Sequence, residues 1–131
     1  GIPLACLLAY RLRKPFLYVR KREKPHGTER TVEGEIQKGD LVLLVDDVAT
    51  SGQNLLMATE TLREQGAQVR DATVLVDREQ GAEERLKREG ISLHSFMRVT
   101  QLFKELHEAG RLSDRQLENL LIYVKGEHVQ G

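Results

Sequence analysis

The chain is poor in cysteine, in net charge and in long apolar runs. Of its 131 residues only Cys6 is a cysteine. One thiol excludes an internal disulfide framework and fits a reducing compartment, so a cytoplasmic location is expected. Lysine plus arginine number 20 and aspartate plus glutamate number 20, a formal net charge of zero. Such a balance argues against general nucleic-acid binding, which requires a basic excess to neutralise phosphates. No apolar stretch approaches the ~20 residues of a membrane-spanning helix, so no membrane partner is expected. Internal repeats and low-complexity segments are absent as well.

What is present reads as one folded unit over residues 1–131, within the usual ~100–200 residues of a domain. Residues 3–12 read as a helix, with Pro3 in the first turn, where its missing N–H costs nothing. Phe16 to Val19 is a short β-prone run, and Thr31 to Ile36 a short return strand. Between them, residues 20–31 carry dense charge with Pro25 and Gly27 and no periodicity, which predicts a mobile loop. Leu41-Val42-Leu43-Leu44-Val45 is a continuous apolar run, the pattern of a parallel strand covered on both faces. It ends at Asp46-Asp47. A helix follows over about 53–65, stopped by Gly66. Residues 69–76 read as a strand, 80–89 as a polar helix, 91–97 as a strand. Two helices over about 99–109 and 114–125 close the pattern, with Ser113 as an N-cap. The alternation predicts an α/β fold with a mostly parallel sheet flanked by helices.

The segment Val45-Asp46-Asp47-Val48-Ala49-Thr50-Ser51-Gly52 carries the chemistry. Ligands of open α/β sheets bind at the carboxyl ends of the strands. A loop of small and hydroxyl residues entering a helix offers free N–H groups to an anion, with the helix dipole behind them. Residues 49–53 therefore form a phosphate cradle. Asp46 and Asp47 repel a phosphate but accept hydrogen bonds from sugar hydroxyls, or bind Mg²⁺ directly or through water. A site with a phosphate at one end and a polyol at the other suits a phosphorylated sugar. His94, His107 and His128 form no metal-ligand spacing. Cys6 falls on an apolar helix face and reads as core, and Leu102, Leu106, Leu117, Leu120 and Leu121 as helical core or interface.

The Val45–Gly52 segment resembles the phosphoribosyl-pyrophosphate (PRPP) signature of the type I phosphoribosyltransferases, whose core is Rossmann-like. Two further stretches are similar to one branch of that family, the orotate phosphoribosyltransferases. Tyr18-Val19-Arg20-Lys21-Arg22-Glu23-Lys24-Pro25-His26-Gly27 resembles their basic flexible loop, and Val76-Asp77-Arg78-Glu79-Gln80-Gly81 the strand end that contacts orotate. Gly1-Ile2-Pro3-Leu4-Ala5 looks like the segment after the family's pyrophosphate loop. Val99 to Val124 resembles the tail of the transferase domain of UMP synthases.

The resemblance implies transfer of phosphoribose from PRPP to orotate, giving orotidine 5′-monophosphate and pyrophosphate in pyrimidine biosynthesis, with Mg²⁺. It assigns Arg20, Lys21, Lys24 and His26 to the pyrophosphate, and Asp46 and Asp47 to the ribose hydroxyls. Val48, Ala49, Thr50, Ser51, Gly52, Gln53 and Asn54 fall to the PRPP loop and its 5′-phosphate, and Thr50 and Arg78 to orotate. Lys24, His26 and Asp47 are the candidate catalytic groups. A homodimer sharing loop 20–31 across its interface is implied. Members carry further residues before the position of Gly1, so an N-terminally incomplete core is expected. Gln53 stands where many members have a small residue. Two alternatives are a non-catalytic PRPP-binding regulatory module and a purine-type phosphoribosyltransferase. The loop bases disfavour the first, and Arg78 in its Asp-Arg-Glu-Gln-Gly setting disfavours the second.

Overall fold

The structure is a computed structural model that describes the backbone of residues 1–130 and the side chains of residues 1–126. Its elements run α1 (Ile2–Leu12), β1 (Tyr18–Lys24), β2 (Gly27–Glu33), β3 (Leu41–Ala49), α2 (Gln53–Glu64), β4 (Gln68–Asp77), α3 (Ala82–Arg88), β5 (Ser92–Arg98), α4 (Val99–Glu108) and α5 (Asp114–Gln130). Strands β3, β4 and β5 form a parallel sheet in that order. Parallel neighbours need crossovers, and α2 and α3 supply them. These two helices pack against β3, β4 and β5.

The core lies under them. Leu44, Val69, Ala72 and Val74 on the strands meet Leu55, Leu62, Ala82 and Leu86 on the helices, with Ile91 leading into β5. Two threonines sit within α2 at little cost. Thr59 and Thr61 donate their hydroxyl protons to the carbonyls of Leu55 and Met57, four residues back, at 2.9 and 3.0 Å. Ser113 caps α5 reciprocally with Gln116: each side-chain oxygen accepts the other residue's main-chain N–H, at 3.1 and 2.9 Å.

Four expectations are corrected. First, residues 20–31 are not a loop. They form most of an antiparallel hairpin whose register runs from Tyr18↔Glu33 to Lys24↔Gly27, which leaves Pro25-His26 as a two-residue turn. The outer ends of both strands stand clear of the core, so they carry charge where a half-buried strand would alternate apolar and polar residues. Second, β3 continues through Asp46 and Asp47 to Ala49, pairing with β4 as far as Ala49↔Asp77. Third, β3 is not covered on both faces. Leu44 is buried, but Leu41 and Leu43 are 65% and 46% exposed. Leu75 on β4 and Phe96 on β5 are likewise exposed, because the core helices lie against the opposite side of these strands. Fourth, Cys6 is exposed rather than core.

The remaining boundaries move by a residue or two, except that β2 ends at Glu33 rather than Ile36 and α5 reaches Gln130. Leu102, Leu106, Leu117, Leu120 and Leu121 are half-buried as α4 packs on α5. The side chain of His128 lies outside the described residues. No helix among the described residues is long and apolar enough to cross a membrane.

Candidate active site

The carboxyl end of β3 turns into α2 through Thr50, Ser51 and Gly52. Gly52 takes φ +80°, a left-handed conformation that a side chain disfavours. A Cβ there would also come within 3.0 Å of the Ala82 Cα. Glycine thus serves twice, in turning the chain and in letting α2 start against α3. No side chain caps α2, and its first helical bond is the Leu56 N–H to the Gly52 carbonyl. The main-chain N–H groups of Gln53, Asn54 and Leu55 therefore precede the helical ladder and are the donors a helix offers to an anion. Ser51 Oγ lies 3.4 Å from the Gln53 nitrogen, a weak contact that an incoming acceptor displaces easily. Asp46 and the run Val48–Leu55 line a concavity of about 120 Å³ at this bend. A larger open hollow, about 480 Å³, lies against Ala9–Arg11, Arg13 and Lys14 at the far end of α1 and includes none of the predicted site residues.

Asp46 and Asp47 are consecutive in β3, and their carboxyl groups interact with each other. Each carboxylate accepts the next residue's N–H: Asp46 Oδ1 from Asp47 and Asp47 Oδ1 from Val48, both at 2.9 Å. Hydrogen bonding with Asp46 holds the Asp47 carboxyl below the ordinary aspartate range, with help from the Val48 N–H. Asp46 lines the concavity, whereas Asp47 does not and is largely exposed.

Arg78 follows β4. Its N–H donates to the Ala49 carbonyl at 2.9 Å, which brings the end of β4 beside the PRPP-signature loop. Asp77 is buried, and that burial pushes its carboxyl above the ordinary range; it accepts the Glu79 N–H at 2.9 Å. Gln53 lines the concavity, and its Oε1 accepts a bond from Arg85 on α3. Arg85 escapes sequence reasoning: it belongs to no motif and lies 32 residues from its partner. Asp77 and Glu79 sit inside the orotate-like stretch, and only their neighbour Arg78 had a role there; the signal available was two acids flanking it.

Arg20, Lys21, Lys24 and His26 do not line the concavity. Strand alternation puts Arg20 and Lys24 on one face of the hairpin and Lys21 on the other, with His26 in the turn. Lys24 Nζ pairs with Glu29 Oε2 at 2.7 Å. The lysine's hydrogen bond and charge hold the Glu29 carboxyl below its ordinary range. His94 and His107 pair with Asp71 and Asp114 at 2.8 and 2.6 Å, and no group of three metal-ligating side chains forms among the described residues.

Comparison with known proteins agrees with this geometry. The model of the phosphoribosyl transferase domain matches residues 1–109. An orotate phosphoribosyltransferase of Saccharolobus solfataricus is 40% identical over 124 residues, 95% of this chain and 63% of that protein. The crystal structure of orotate phosphoribosyltransferase from Aeropyrum pernix superposes with a TM-score of 0.76 at 46% identity, over 82% of this chain and 60% of that one. A Mycobacterium tuberculosis orotate phosphoribosyltransferase in complex with PRPP superposes with a TM-score of 0.51 at 32% identity, over 54% of this chain and 44% of that one. The chain thus spans about three-fifths of the length of the curated relative. With the family model covering the hairpin, the acidic strand end and the glycine bend together, the chain belongs to the phosphoribosyl transferase domain family.

Proposed function

We propose that this chain is the core of an orotate phosphoribosyltransferase, which converts orotate and PRPP to orotidine 5′-monophosphate and pyrophosphate. The observation that carries the reading is the main-chain hydrogen bond from Arg78 to Ala49, which brings the residue that the resemblance assigns to the base beside the phosphate cradle and the acid pair. The names of the relatives above support orotate as the base, and the complex with PRPP supports the donor.

In this reading the N–H groups at the start of α2 grip the 5′-phosphate. Asp46 and Asp47 accept from the ribose hydroxyls and place negative charge near the ribose as C1 becomes oxocarbenium-like. Arg78 and Thr50 orient orotate, the guanidinium meeting a carboxylate or paired acceptors in a fork. The pyrimidine N1 then forms its bond to C1 as the bond from C1 to the diphosphate oxygen breaks; the electron pair leaves with the diphosphate, and the N1 proton passes to the diphosphate or to water. Arg20, Lys21, Lys24 and His26 cover that leaving group and exclude water. Because these four do not line the concavity of their own chain, we assign them to the site of a second subunit in a cytoplasmic homodimer. Asp46 and Asp47 offer the hard oxygen donors that suit Mg²⁺, and with the substrate's oxygens they would hold it. Bound there, the ion neutralises charge on the diphosphate.

The test is an assay of the full-length protein with PRPP and either orotate, adenine or hypoxanthine. Orotidine 5′-monophosphate formation from orotate alone is expected. A purine nucleotide product, or PRPP binding without turnover of any base, contradicts the reading.

A further inference from the structure

We propose that Glu79 is a positioning residue for Arg78, locking the turn that presents the guanidinium by clamping it to the first turn of α4. The inference rests on Arg78 meeting the base.

Glu79 has φ +58°, a left-handed conformation that a glutamate enters only when its surroundings hold it there. Three contacts do so. Its N–H donates to the buried carboxylate of Asp77 at 2.9 Å. Its Oε2 accepts the N–H of Thr100, in the first turn of α4, at 3.0 Å. Its Oε1 lies 3.8 Å from Arg98 Nη1, and Arg98 also binds Glu83 at the start of α3. Helix α4 receives no side-chain cap from its own N-cap residue, Arg98, which has no acceptor to offer. Glu79 supplies that acceptor across 21 residues of sequence, on the end where the helix dipole favours a negative charge. Arg78 is thereby fixed on both sides, by its own N–H on Ala49 and by its neighbour's carboxylate on α4. Releasing Glu79 frees the turn on one side while the phosphate cradle, on another element, stays as it is.

The experiment measures kcat and both KM values in the full-length protein for Glu79→Asn, Glu79→Gln and Arg78→Ala. Asparagine accepts the left-handed conformation but is too short to reach α4, so folding is retained. Glu79→Asn is expected to raise the KM for orotate about tenfold, the scale of one hydrogen bond to a charged group, with the KM for PRPP within about twofold. Glu79→Gln keeps an oxygen for the Thr100 N–H and is expected to restore most of the orotate KM. An unchanged orotate KM in Glu79→Asn, while Arg78→Ala raises it, overturns the inference alone. Equal rises in both KM values without rescue by glutamine also overturn it, since they mark a merely structural role. An unchanged orotate KM in Arg78→Ala removes the base assignment, and this inference with it.

Discussion

The N–H of Arg78 donates to the carbonyl of Ala49 across 2.9 Å, so the turn after β4 is tied to the end of β3, the strand that carries the acid pair. That bond is main chain to main chain and survives truncation of the arginine. Arg78→Ala therefore keeps this tie, and the variant should remain folded. The orotate KM rises roughly 10- to 100-fold, from loss of a charge-assisted bond of about 1.5–3 kcal/mol. Steady-state kinetics with varied orotate and fixed PRPP, beside a thermal melt, check both halves.

Gly52 and Ala82 meet where α2 begins against α3. A methyl at Gly52 takes up φ +80° and lies 3.0 Å from the Ala82 Cα, a backbone atom that cannot swing aside. Gly52→Ala is expected to cost about 1–3 kcal/mol of stability, as strain of this kind does, and to weaken PRPP binding by moving the donors of the cradle. Urea denaturation gives the first and titration calorimetry the second.

Lys24 is paired with Glu29 on the exposed part of the hairpin, and both side chains are about half exposed. A pair so open to water adds little to the fold. Lys24→Ala should therefore lower kcat more than tenfold, the usual scale for a group acting on developing charge, while the melting temperature holds. Glu29→Gln frees the lysine and should leave kcat at or above the parent value. Melts and kcat measured on the two variants distinguish a working lysine from a structural one.

Asp77 gives a prediction in pH. Burial raises its folded-state pKa above its unfolded value of about 3.9. Its contribution to stability is therefore fully present below the unfolded pKa and is lost as pH rises through the folded one. Asp77→Asn keeps an oxygen for the Glu79 N–H and carries no charge to desolvate. The stability of the asparagine variant relative to the parent should grow as pH rises from below 4 through the raised pKa, then level off. Denaturation at a series of pH values measures it, and a difference independent of pH contradicts it.

The run Leu41–Val45 and the spaced leucines of α2 announced the parallel core, because burial writes period and length into a sequence. The bend from Asp46 to Gly52 was legible for the same reason: few residue types turn a strand into an anion-binding helix start. The hairpin was not legible. Arg20, Arg22 and Lys24 alternate with Lys21 and Glu23, so no apolar period marks the strand, and its order comes from pairing with Gly27–Thr31. The exposure of Leu43 and Phe96 was hidden too, since an apolar run does not say which face a helix covers. Long-range partners such as Gln53 with Arg85, or Glu79 with Thr100, leave no local pattern at all.

The most direct test of the account is titration calorimetry of PRPP into the full-length protein and its Asp46→Asn, Asp47→Asn double variant, with melts to show that both are folded. The folded double variant is expected to lose PRPP binding. Unchanged affinity would show that the acids at the end of β3 do not hold the ribose, and would contradict it.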